Sequence, residues 1–139
     1  MSVPVDIEIG ESAEVSFVVS TVDMASALAI TPDEKFPEVF ATSRMIALME
    51  LAAAKVMRKS LGPNQLSVGV GVNIKHLAAT PNNTKVRGVA TFLGREGRLF
   101  KFRVEVFDVA GLVGEGEHTR AIVDSDRPVR GAQTRINAR

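Results

Sequence analysis

The chain has no cysteine among its 139 residues, and that one absence removes a branch of chemistry. Without a thiol there is no thiolate nucleophile, no disulfide scaffold and no cysteine-ligated metal. Two histidines are too few for a histidine-rich metal site, and no His-Glu-x-x-His pair occurs. Tryptophan and tyrosine are also absent, and seven phenylalanines leave little aromatic surface for stacking bases. A formal net charge of +1 supplies no field for holding a polyanion, so nucleic acid is not an expected partner. No run approaches the ~20 apolar residues that span a bilayer, so no membrane partner is expected. The amino-terminal segment carries acids early and lacks a basic stretch and an apolar core. It is not read as a signal peptide, and a cytoplasmic protein is expected. There is no Gly-x-Ser-x-Gly elbow, no phosphate-binding loop and no dinucleotide fingerprint. No metal and no cofactor are expected. Any catalysis must use carboxylates, two histidines, hydroxyls and backbone amides.

What remains is an ordinary globular composition, 45% hydrophobic and 24% charged, and one domain's length of chain. Residues 42–59 read as one long amphipathic helix whose charged arc holds Arg44, Lys55, Arg58 and Lys59, with Leu48 and Leu51 flanking those charges. Glu50 falls about 130° from the centre of that arc, among Ile46, Ala53, Ala54 and Met57, at ~100° per residue. A carboxylate aimed at a core costs roughly several kcal/mol unless it is paired, hydrogen-bonded or protonated. Residues 66–79 then alternate, with Val68, Val70, Val72, Ile74 and His76 on one face. Period-two alternation marks a half-buried strand, so His76 is expected on the face that meets the helix. The pattern gives facing and not distance; that Glu50 and His76 meet is an expectation.

The remaining order is a strand at 13–19, a proline-broken connector at 21–40, and strands at 84–93, 99–108 and 112–123. Thr42 or Ser43 is expected to cap the helix, and Gly62-Pro63 to end it. The connector reads either as a flap over a site or as a loop tucked on the core. A hairpin is expected at Gly94–Gly97. Residues 125–139, with Arg127, Arg130, Arg135 and Arg139, read as a frayed basic tail after a domain at 1–124. One helix against one antiparallel sheet is an α+β architecture. A single helix cannot cover five strands, so a homodimer is expected.

The motifs Phe36-Pro-Glu-Val-Phe-Ala-Thr42, Leu48-Met-Glu50 and Val72-Asn-Ile-Lys-His76-Leu-Ala-Ala-Thr-Pro81 resemble the fluoroacetyl-CoA thioesterase family. Gly94-Arg-Glu-Gly-Arg-Leu-Phe-Lys-Phe102 and Gly114-Glu-Gly-Glu-His118-Thr-Arg120 extend the likeness across residues 10–124. The resemblance implies the hotdog fold, a long helix wrapped by an antiparallel sheet. It implies hydrolysis of a short-chain acyl-CoA thioester, fluoroacetyl-CoA-like among the candidates. Thr42, Glu50 and His76 match the family's catalytic set, and Gly69 matches a strand glycine beside the reacting carbonyl. Phe36 matches one lid phenylalanine, while Asp33 stands where the family has a second.

On this reading Glu50 activates water or attacks the carbonyl itself, while His76 and Thr42 orient the reacting groups. His118 reads as structural. Arg44, Lys55, Arg58, Lys59, Lys75, Arg87 and the tail arginines offer cations for coenzyme A phosphates, with nothing to choose among them. Two rivals stand beside the hydrolase: a hydratase or dehydratase of acyl thioesters, and a non-catalytic acyl-CoA-binding module.

Overall fold

The computed structural model describes residues 4–138; residues 1–3 and Arg139, the last of the tail arginines, lie outside them. Five strands, β1 (Ser12–Val18), β2 (Gln65–His76), β3 (Lys85–Glu96), β4 (Leu99–Asp108) and β5 (Gly111–Asp124), form one antiparallel sheet. Their spatial order is β1-β3-β4-β5-β2, which leaves β1 and β2 as edges. The helix α1 (Thr42–Met57) runs on into a 3-10 turn at Arg58–Ser60. It lies in the concavity of the sheet, mainly against β1, β3 and β4.

Alternation sets the core. β3 and β4 send Val86, Ala90, Phe92, Phe100, Phe102, Val104 and Val106 inward to meet Met45, Leu48, Met49, Ala52 and Val56 of the helix. Each such large side chain contributes roughly 1.5–3 kcal/mol on burial. Glycines let the two layers close. A Cβ at Gly88 would lie 2.7 Å from Leu48 Cγ, and one at Gly114 would run into Met45.

Several expectations shift. Leu48 was placed by the helical wheel beside the charged arc, yet it is fully buried against Gly88. The core face centres on Met45, Met49, Ala52 and Val56. The flank of Ile46, Ala47, Glu50, Leu51 and Ala54 is half-buried or exposed and turns toward β2. Glu50 therefore sits at the rim of the core and not within it. The cap also differs. Ala41 is the N-cap and Thr42 the first helical residue, because its hydroxyl is taken by His76. The β3–β4 hairpin turns at Gly97-Arg98, at the far end of the expected Gly94–Gly97 segment. Gly94 instead sits at a bulge inside β3 with φ +127, a region open to glycine.

The connector holds two short 3-10 turns, Thr21–Asp23 and Ala25–Leu28, and a bridge between Met24 and Phe40. Buried Asp23 anchors it, accepting from the Ser20 amide (2.9 Å), the Ser20 hydroxyl (3.1 Å) and Arg44 Nε (2.9 Å). Burial works against the Asp23 charge, but these donors outweigh it and hold the carboxyl below its usual range. The tail is not frayed. Arg127–Asn137 forms α2, with Pro128 in its first turn and Arg130 paired to Asp126 across one turn at 2.9 Å. Val129, Ala132 and Ile136 recur at helical spacing, a short apolar period set among the arginines.

The Gly88 contact is testable by a double-mutant cycle. Gly88→Ala is expected to destabilise the fold by about 1–3 kcal/mol through overpacking. With Leu48→Ala present, the added methyl enters the vacated space. Chemical denaturation should then show the two costs to be less than additive, by at least ~0.5 kcal/mol.

Candidate active site

The strand β2 carries two polar clusters on the face that looks at α1. At its end, the Thr42 hydroxyl and His76 Nδ1 share a hydrogen bond of 2.8 Å. His76 Nε2 is buried and, among the described residues, has no partner. The ring is thus held by one nitrogen and bare at the other. What holds it is the segment after the strand: Leu77 N–H donates to the Val113 carbonyl (2.7 Å). Buried Thr80 donates to Asp108 (2.7 Å), and its carbonyl accepts from the Phe40 amide (2.8 Å). The Ala-Ala-Thr-Pro part of the motif is therefore scaffolding for His76. A cleft of about 430 Å³ opens beside the pair, lined by Pro37, Val39, Phe40, Thr42, His76 and Leu77 among others.

The second cluster surrounds Glu50. A Cβ at Gly69 would stand 2.7 Å from Glu50 Oε1, 3.3 Å from the His118 ring and 3.6 Å from Arg120 Nη1. Only a glycine leaves room for all three. Simple alternation puts Gly69 and His76 on opposite faces, and the sequence reading placed them so. The ladder shifts register between Gly69 and Gly71. That bulge brings Gly69 and His76 to the same face and turns Val68 and Val70, expected inward, the other way.

His118 and Arg120 form the floor of this cluster. His118 Nδ1–H donates to the Gly71 carbonyl (2.8 Å), and Arg120 Nη1–H donates to His118 Nε2 (3.1 Å). Both bonds together require a neutral ring. Burial pushes the His118 imidazole down, and the Arg120 cation adds to that effect. Arg120 also donates to the Ser67 hydroxyl and carbonyl, each at 3.0 Å. Its burial lowers its pKa, while the Glu50 carboxylate acts to keep it charged. His118, expected to be structural, does fix the strand pair, and it stands against Glu50 as well. Arg120 is a functional-site residue that the sequence reading misses. Its signal was a cation on an inward strand position, two residues from an inward histidine.

Glu50 and His76 do not meet within the chain. Thr42 and Glu50 are eight residues apart on α1, about 12 Å of helix rise. Phe36 is also apart: it lies exposed on the connector, and Phe40 lines the cleft instead. Among the described residues, no three His, Asp or Glu side chains converge as metal ligands do.

A pH dependence of stability follows from His118. Its folded pKa lies below the ordinary value, about 6.5. Above that value both folded and unfolded states hold the ring neutral, and the group costs nothing. As pH falls below it, only the unfolded chain gains the proton, so stability drops until the folded pKa is passed. Thermal unfolding between pH 7.5 and 5 should show this loss, and His118→Gln should flatten it.

The profile of the fluoroacetyl-CoA-specific thioesterase family matches residues 19–126. The fluoroacetyl-CoA thioesterase of Streptantibioticus cattleyicolor is 38% identical over 93 residues, 67% of each chain. The solved structure of a fluoroacetyl-CoA thioesterase superposes with a TM-score of 0.87 at 32% identity, covering 93% of this chain and 97% of that one. A Thermus thermophilus protein of the thioesterase superfamily gives 0.85 at 27%, over 96% and 98%. Two polar stations on one strand, a helix in the concavity of an antiparallel sheet and these likenesses lead to one assignment: the chain is a hotdog-fold thioester hydrolase and belongs to the fluoroacetyl-CoA-specific thioesterase family.

Proposed function

We propose that the chain hydrolyses short-chain acyl-CoA thioesters, fluoroacetyl-CoA-like substrates among them, in an active site shared by two copies. One observation carries this reading. The Thr42–His76 pair and the Glu50–Gly69–Arg120 cluster lie toward opposite ends of β2, which is an edge strand. Two copies of an edge strand pair antiparallel about a two-fold axis. A register centred on Asn73 pairs Val72 with Ile74 and, because the bulge at Val70 absorbs one residue, sets His76 of one copy opposite Gly69 of the other. The half-sites that are apart in one chain then face each other across the seam. Exposed Val70 and Val72 and the open flank of Glu50 and Leu51 supply the surface for that contact. A polyanionic CoA thioester does not cross membranes, so the same reading places the enzyme in the cytoplasm.

In this arrangement the acyl carbonyl sits beside Gly69, with the cleft at Thr42 and His76 taking the short acyl group. Glu50 takes a proton from water as the water oxygen bonds to the carbonyl carbon. The bulge at Val70 frees backbone amides, and one well-placed donor to the developing oxyanion is worth ~3–4 kcal/mol. The Thr42 hydroxyl donates to His76 Nδ1, which leaves Nε2–H to donate toward the substrate. The carbon–sulfur bond then breaks, and the thiolate leaves with the proton that Glu50 took up. Arg120, facing Glu50, balances charge in the site. Phe36 rides on the connector, whose closure over the cleft brings it to the acyl group.

Thiol release from a panel of acyl-CoAs, read with a thiol-reactive dye, tests the activity; a chain without cysteine adds no background. Wild type is expected to release thiol from short acyl-CoAs, and Glu50→Gln and His76→Ala to lose at least about 100-fold. Release from none of them rejects the hydrolase. Mixed dimers of the two inactive variants test the shared site. Random mixing makes half the dimers hybrid, each with one intact site, so about a quarter of wild-type activity should return. No recovery from verified hybrids would place the whole site in one chain.

A further inference from the structure

We propose that α2 is the clamp for the phosphates of coenzyme A, with Arg127, Arg130 and Arg135 as its cations. The inference rests on the acyl-CoA reading above and names the part of that site which holds the nucleotide end. At 100° per residue, Arg127, Arg130, Gly131, Thr134 and Arg135 share one face of α2, and Pro128, Val129, Ala132 and Ile136 the other. The polar face borders a cleft of about 570 Å³ whose remaining lining is Asp124. Gly131 keeps the middle of that face flat, with nothing within 4 Å of where its Cβ would be. Arg130 is paired to Asp126. Arg127 and Arg135 form no ion pair among the described residues. Guanidinium forks match phosphate oxygens in pairs, and the Thr134 hydroxyl adds a neutral donor. Three cations against Asp124 and Asp126 leave an excess of positive charge beside that open cleft.

Most of the other candidates are engaged elsewhere; Arg58, on the 3-10 turn after α1, has no ion pair among the described residues but stands as a single cation. Arg44 is tied to Asp23, Lys59 to Glu11, Arg87 to Glu14 and the Phe107 ring, and Lys55 to the Glu14 carbonyl. Lys75 borders a surface shared with Glu115 and Glu117. The β2–β5 ladder, by contrast, runs from Gly69↔Arg120 to Gln65↔Asp124 and ends where α2 begins. Those four residues span about 13 Å at strand rise. A pantetheine arm is three short segments, each near the length of an extended residue or longer, roughly 10–15 Å in all. A thioester carbonyl at Gly69 thus carries its diphosphate to the foot of α2.

The test uses the full chain with Arg127, Arg130 and Arg135 all changed to Gln, and a second variant with all three changed to Lys. Calorimetric titration with CoA reads the clamp without turnover. The Gln variant should bind CoA at least about tenfold more weakly, and the Lys variant should recover part of that loss. In turnover, the preference for acyl-CoA over acyl-pantetheine should fall by a similar factor, through KM. No residue of α2 is buried and Gln is a good helix former, so a thermal midpoint like the wild type's is expected. Equal CoA affinity in wild type and the Gln variant overturns the clamp. CoA binding without hydrolysis of any thioester overturns the enzyme reading and leaves the clamp standing.

Discussion

Everything in this chain depends on how closely α1 enters the sheet. Gly88 and Gly114 give up their side chains where the helix presses in, and Leu48 and Met45 fill the space. A helix seated that deep packs chiefly against β3 and β1. The flank that faces β2 stays half-buried or exposed. That flank carries Glu50. A carboxylate tolerates this rim, whereas a full turn inward would cost it several kcal/mol, on the order that desolvation of an unpaired charge demands.

The bulge at Gly69/Gly71 converts that packing into chemistry. A regular strand would put either Gly69 or His76 on the helix side, never both. One extra residue reconciles them, and the glycine at the shift leaves room for Glu50, His118 and Arg120 together. Backbone geometry therefore sets which side chains share a face.

Much of the fold was legible because it rests on period and turn chemistry. The helix, the four later strands and their turns came out within a few residues, since alternation and glycine placement both act locally. Leu48 was misplaced for a different reason. A wheel centred on charges assumes that the core lies opposite them, and here Gly88 of β3 lets the sheet close onto Leu48 beside the charged arc. The Gly69/His76 phase error came from assuming an unbroken strand; two glycines a residue apart were the available warning. For the site, Glu50 and His76 were legible as polar residues in apolar periods. Their separation was not, because eight residues of helix rise can only be set against a partner once the strand beside them is placed. The helicity of α2 was hidden by arginines that also satisfy the description of a solvated tail.

The electrostatics of the site follow from who is neutral. Nδ1 of His118 is committed to a carbonyl and Nε2 to a guanidinium, so the ring cannot take a proton without breaking one bond and facing Arg120 as a like charge. Arg120 is pinned by the same ring and by Ser67. Glu50 has the Arg120 cation on one side and the neutral His118 ring beside it. In the proposed mechanism, a carboxylate that acts as base benefits from neighbours that neither gain nor lose a proton. On this argument His118 acts by remaining neutral, which holds Arg120 in place opposite the carboxylate.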